Sequence, residues 1–445
     1  MKRSWTFLLA AGLLLAVPTT LFTSCGDDDP TEVPGGGDVE DNGGTVDDVK
    51  LTPNQSKSRM ETVAKNLMNE VDSRYFSSLS NLCNDLSSSI KDMDNENVSD
   101  WAQDLLESMT MQTGNPIEET YYSRYTYDRL IVLSQFHGRF TAKNGQWKYD
   151  KTLTNLEFVI NDASGNSCTL SVTPSGNTKK VYMGESWYGS DSYVGNGHYK
   201  WEEDVYSNYV MVPEHILVKL TQGNNTRAEV NINIDLSQFT EPEYDLSKDG
   251  VSTKASLKVE DYVLTINRVN HSGSEGSAEV NGNMTKSGKM LIEFSAKASN
   301  TKFDAHNELA TGGPAEAYVN ILGQMQLRGT CSNVKSFVDY LDKASKVSEE
   351  TNGSAYKNYI NQANQQLNAG IYFDNGKTQQ AFVKLMSFKE EYNGGRYVYW
   401  YNEPGIYFDD NTSYAMGDYF NRDNFGSVVD LFERLLQGYE DLFDY

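Results

Sequence analysis

A chain of 445 residues with 38 basic and 62 acidic side chains carries a formal charge of −24. That field repels nucleic acid and anionic lipid surfaces, which need clustered Lys and Arg, so nucleic acid is excluded as a partner. The length is enough for a substantial core.

The N-terminus has the layout of an export leader. Lys2 and Arg3 precede an uncharged apolar run from Trp5 to Val17, too short to span a bilayer comfortably. Leu21-Phe22-Thr23-Ser24-Cys25 follows. This stretch resembles the lipobox cut by bacterial lipoprotein signal peptidase, with small Ser24 before Cys25 and Phe22 departing from the commoner Leu. The resemblance implies a leader over 1–24, lipidation of Cys25 and attachment to the membrane through that lipid. Gly26-Asp27-Asp28-Asp29 is similar to the signals that send some Gram-negative lipoproteins to the outer face of the outer membrane. Residues 25–52, rich in Gly, Asp, Pro and Thr, read as a disordered acidic tether.

The folded part is expected from 53 to 445 as one large α+β domain, with a subdivision admitted near 300–316. Thr52-Pro53-Asn54-Gln55 predicts a capped helix start, followed by Met60, Val63, Leu67 and Val71 at helical spacing. Tyr75 to Met93 continues the stripe, as one long helix or as two broken near Tyr75. A further helix is expected from a Ser99 cap through Trp101, Leu105, Leu106 and Met109, ending at Gly114-Asn115-Pro116.

From about Ile131 to Ala298 the period becomes two. Ile216, Val218 and Leu220 alternate with polar residues, as do Val230, Ile232, Ile234 and Leu236, and then Met290 to Ala298. Gly145, Gly165, Gly176, Gly223, Gly282 and Gly288 fall at expected turns. Clean alternation predicts an antiparallel sheet with one apolar face. Helices are expected over Val334–Leu341 and Tyr359–Leu367, and strands over Ile371–Phe373, Phe382–Phe388 and Arg396–Tyr401. The chain closes on an apolar helical stripe from Phe425 to Phe443. The fold class is therefore α+β: a long curved antiparallel sheet covered on its apolar face by N- and C-terminal amphipathic helices. This layout resembles surface lipoproteins of Gram-negative bacteria that have no characterised activity and, more loosely, lipoprotein-carrier folds with a curved sheet around helices.

Signals for chemistry are sparse. His137, His198, His215, His271 and His306 show no metal spacing, and Cys83, Cys168 and Cys331 show none either. Buried free thiols are the expected state of these three cysteines. Gly184-Glu185-Ser186-Trp187 lacks the second glycine of a nucleophile elbow. Asp92, Asp94, Glu96 and Asp100 approach a calcium-loop spacing, but Asn97 and Gln103 stand where Gly and Glu are needed. No cofactor or metal is expected. Glu118-Glu119 and Glu202-Glu203 keep a glycoside hydrolase open, provided two acids face across a cleft.

Aromatic clusters are the strongest remaining feature. Trp187, Tyr188 and Tyr193 lie in a stretch read as a Gly- and Ser-rich loop, with a turn between Gly184 and Gly189. Tyr399, Trp400 and Tyr401, in a cluster with Tyr397 and Tyr407, precede an expected turn at Asn402-Glu403-Pro404-Gly405. Such rings can stack on sugars or apolar ligands, and core packing is the competing reading. The leading expectation is a non-enzymatic envelope lipoprotein binding a glycan, lipid or other apolar ligand. A surface glycoside hydrolase and a structural or adhesive component are the alternatives.

Overall fold

The computed structural model describes residues 49–71, 77–91, 95–237, 248–272, 276–304, 309–350, 352–392, 394, 396–419 and 426. The leader, Cys25, the tether up to residue 48, Asp92, Asp94, His306 and all of the terminal stripe except Gly426 lie outside them. Strand dominates, and the architecture is α+β with a large mixed sheet. The chain divides into two compact units, one from residues 1–77 with 266–445 and one from residues 78–265. The divisions fall at 77/78 and 265/266.

In chain order the helices are α1 (Pro53–Glu70), α2 (Ser77–Lys91) and α3 (Glu96–Ser108). The expected cap of α1 is present. The Thr52 hydroxyl accepts from the Gln55 backbone N–H, and the Gln55 side chain accepts from the Thr52 N–H. Helix α3 begins a turn before Ser99. The Ser99 N–H already donates to the Asn95 carbonyl, and the Asn95 side chain, instead of capping, accepts from Trp147 Nε1 at 2.8 Å. Its far end falls at Ser108, and Thr110 is already strand, so Gly114 stops nothing.

The unit 78–265 holds β1 (Thr110–Gln112), β2 (Ile117–Glu118), β3 (Tyr122–Val132), β4 (Gly138–Lys143), β5 (Gln146–Asp150) and β6 (Leu156–Asn161). It continues with β7 (Ser167–Gly195), β8 (His198–Gln222), β9 (Asn225–Asp235) and β10 (Val251–Val259). Most pairs are antiparallel, but β3 runs parallel to β8 and β4 parallel to β6. Alternation along one strand shows which faces are wet; it does not report a neighbour's direction, and the two parallel pairs escape it. The core here joins Leu82 of α2 to Phe140, Trp147, Ile160 and Cys168, with Trp101 packed against them.

Strand β11 (Tyr262–Ser272) contains the second division. The remaining unit then holds β12 (Ser277–Lys286), β13 (Lys289–Ala298), β14 (Lys302–Phe303), β15 (Leu309–Thr311), β16 (Ala315–Ile321) and β17 (Met325–Cys331). Helices α4 (Val334–Lys346) and α5 (Ser354–Asn364) follow. They lead to β18 (Leu367–Phe373), β19 (Ala381–Tyr392), β20 (Tyr397–Tyr407), β21 (Ser413–Ala415) and the short α6 (Met416–Tyr419). An antiparallel meander runs β12–β13–β16–β17–β18–β19–β20–β21. Met60 and Met68 of α1 share a buried cluster with Leu327, Ile371, Phe373 and Ile406. Phe337 of α4 and Tyr356 and Ile360 of α5 share another with Leu385, Val398 and Trp400.

Of the six glycines expected at turns, Gly145, Gly165, Gly223 and Gly288 have positive φ and lie in turns. Gly176 and Gly282 lie inside β7 and β12 instead. Gly176 sits at a shift of register, where strands take an extra residue, and Gly282 is buried opposite Phe294.

Candidate functional site

The region read as a loop around Trp187 is strand. β7 and β8 form one long hairpin whose turn is Asn196-Gly197, both residues at positive φ (51° and 78°), closed by the Gly195–His198 pair. Asn-Gly is the pattern that fits the twist of a tight hairpin. Gly184 marks a bulge rather than a turn: the register slips between Tyr182 and Gly184. Asn208 Nδ2 donates to the Gly184 carbonyl at 3.3 Å and to Ser186 Oγ at 3.0 Å, which holds the bulge.

Register assigns the faces. Trp187 pairs with Val205, Gly189 with Glu203, Asp191 with Trp201 and Tyr193 with Tyr199, so these eight residues share one face of the arm. Tyr188 pairs with Asp204 and lies on the other face. Trp187 and Tyr188, neighbours in sequence, therefore do not act together.

On the first face Trp187 is 65% exposed, Tyr193 63%, Tyr199 60% and Trp201 37%. The Tyr193 and Tyr199 rings meet edge to face at 5.4 Å. The Trp201 indole lies across Gly189, where a Cβ would come within 2.1 Å of Cζ2. Tyr122, next to Trp201 on β3, donates its hydroxyl to Glu203 Oε2 at 2.9 Å, and this bond to a carboxylate holds the phenol above its ordinary range. Arg124 stands beside Glu203 in register, its Nε buried with no hydrogen-bond partner.

On the second face the rings pack on one another, and Tyr188 is left 63% exposed. Tyr206 stacks on Tyr127 at 4.9 Å, Tyr188 meets the Tyr206 edge at 5.7 Å, and the Arg129 guanidinium sits 4.4 Å from the Tyr206 centroid. Burial first, then Asp204, pushes the Tyr127 and Tyr206 phenols up.

The cluster at 397–407 belongs to the other unit. β20 continues through Asn402-Glu403-Pro404-Gly405 without turning, paired throughout with β19. Trp400 is core: it is 7% exposed, its Nε1 donates to the Glu350 carbonyl at 3.0 Å, and it stacks on Tyr356 at 6.2 Å. Tyr399 lies on the opposite face and is exposed; Tyr401, two residues on, is half-buried and stacks on Phe388. Trp400 therefore cannot present its ring to a ligand.

Tyr199 and Trp201 escaped the sequence reading because only pairing brings them opposite Tyr193 and Asp191. The Asn196-Gly197 dipeptide was the signal that could have found them.

Of the acidic pairs, Glu118 and Glu202 lie on one face on either side of Ser123, with the Tyr125 hydroxyl donating to Glu118 at 2.9 Å. Glu202 and Glu203 are adjacent on β8 and point to opposite faces. Among the described residues no group of three or more His, Cys, Asp or Glu could hold a metal ion. Cys168 and Cys331 are buried and Cys83 half-buried, each unpaired, and desolvation raises all three thiols. No family model, curated protein or solved structure matches this chain.

Proposed function

We propose that this chain is a lipid-anchored protein of a Gram-negative outer membrane, facing the cell exterior, that binds a glycan without turning it over. One observation carries the reading: three largely exposed rings, Trp187, Tyr193 and Tyr199, and the partly exposed Trp201 share one face of the β7–β8 arm. Exposed indole and phenol surfaces are costly to leave in water and offer flat apolar area with a polar tip, the combination that stacks on a sugar ring while bonding its hydroxyls. The carboxylates of Asp191 and Glu203 on the same face add hydroxyl acceptors. Cys25, with its small neighbour Ser24 and the acidic run behind it, supports the anchor and the address. The buried clusters that join α1, α4 and α5 to the meander support the finer fold reading, in which amphipathic helices cover the apolar sheet face.

The test is a glycan array probed with the mature chain and with a Trp187→Ala/Trp201→Ala variant. Binding by the first and at least tenfold weaker binding by the second, at an unchanged melt, is expected. Equal binding by both would remove the arm from the function.

A further inference from the structure

The aromatic face of the arm has two ends and a length. Along β7, Trp187 and Tyr193 are six residues apart, about 20 Å at the rise of an extended strand. Between them the Trp201 indole occupies the space above Gly189. Tyr193 and Tyr199, edge to face, form one station at the far end, just before the Asn196-Gly197 turn. At the near end the next aromatic pair on this face is Tyr182 with Tyr209, and the Lys180 ammonium sits 3.9 Å from the Tyr209 centroid. That lysine occupies the ring surface and closes the row. Three stations remain: Trp187, Trp201 and the Tyr193–Tyr199 pair.

The charge of this face is as informative as its rings. Glu185, Asp191 and Glu203 all lie on it by register, and Arg124 is the cation beside them. With a chain charge of −24 behind them, these carboxylates raise the cost of bringing an anionic polymer to the stations. They disfavour an acidic ligand, and their oxygens accept from the hydroxyls of a neutral one.

We propose that the arm binds an extended neutral polysaccharide, laid along the strand direction across all three stations, rather than a terminal sugar or an acidic glycan. This rests on the glycan reading above and adds length and charge to it. A chain that reaches all three stations needs more units than a disaccharide has, so affinity should grow with chain length until the far tyrosines are engaged.

The test is calorimetric titration of the mature protein with gluco-, manno- and xylo-oligosaccharides from disaccharide to octasaccharide, and with oligogalacturonates of the same lengths. In the neutral series that binds, affinity should rise at least tenfold from disaccharide to hexasaccharide and then level off. A Tyr193→Ala/Tyr199→Ala variant should lose that gain and keep the disaccharide affinity. The oligogalacturonates should bind at least tenfold more weakly at low salt. If the disaccharide binds as tightly as the hexasaccharide, and Trp187→Ala/Trp201→Ala abolishes both, the extended-chain proposal is wrong while the glycan reading stands. Tighter binding of the acidic series overturns the neutral assignment. Absence of binding at every length and charge overturns both readings.

Discussion

The indole of Trp201 takes the space that any side chain at position 189 would fill, with Cζ2 only 2.1 Å from where a Cβ would stand. A glycine on one strand thus sets the pose of a tryptophan on its neighbour. Gly189→Ala should move the ring without harming the fold. The backbone at 189 is not in the left-handed region, and Ala in a strand avoids the entropic cost of Gly, about 0.5–1 kcal/mol. The expected result is a shifted tryptophan emission, a melt unchanged or slightly raised, and weaker glycan binding. Unaltered emission and affinity would show that the ring has room to spare.

Trp400 and Tyr399 are neighbours with opposite expectations. Trp400→Ala removes a ring packed on Tyr356 and over Gly353, and it leaves the Glu350 carbonyl without its indole donor. Large aromatic truncations of this kind cost about 3–5 kcal/mol. Tyr399→Ala, on the exposed face, should stay within about 0.5 kcal/mol. Gly353→Ala should behave like the tryptophan change, because φ is +59° there and a Cβ would lie 2.1 Å from Trp400 Cε2. Urea melts of the three variants decide it; a Trp400→Ala midpoint equal to the unaltered protein's would mean that the ring is not core.

The contrast between these two aromatic clusters shows what the sequence could and could not express. Helix α1 was legible because its cap is local: Thr52 and Gln55 bond each other across three residues. Strand β13 of the meander was legible because the alternation from Met290 to Ala298 marks an apolar face. The binding face was not, since Trp201 and Tyr199 come opposite Asp191 and Tyr193 only after a turn at Asn196-Gly197 is chosen. Glycine misled where it has several uses. Gly184 and Gly189 looked like turn residues, yet one permits a bulge and the other makes room for an indole. Trp400 misled because alternation says that it and Tyr399 face opposite ways without saying which way is inward.

The anchor makes its own prediction. Cys25→Ala should move the protein from the membrane fraction to the soluble fraction after cell breakage, with its melt unchanged, because the described fold starts beyond the segment that carries Cys25. One acyl chain gives only marginal attachment, and the added chains of a lipoprotein make it firm. Firm membrane association of the Cys25→Ala chain would remove the lipid from the proposal. Neutralising Asp27, Asp28 and Asp29 together should leave the lipid in place and reduce cleavage by protease added to whole cells.

Glu403 offers a test of electrostatics within the meander. It lies on β20, paired with Met386 on β19, and burial raises its carboxyl above the usual range, with Asp418 and Glu390 adding to the effect. A raised carboxyl in the folded state means that the folded chain holds this proton at pH values where the unfolded chain has already released it. Stability from this group is then greatest below the ordinary carboxylate range and declines as pH climbs from that range through the raised value. Glu403→Gln keeps the shape and removes the charge. The variant should melt like the unaltered protein near pH 4 and at a higher temperature near pH 7, with the gap opening across the window between. Thermal melts of both proteins on one pH series, compared as differences so that other carboxylates cancel, give the answer. A gap that is constant with pH would mean that the variant changes packing instead of removing a strained charge. A gap of opposite sign would mean that the carboxylate is stabilised where it lies, with its acidic neighbours outweighed by groups around them.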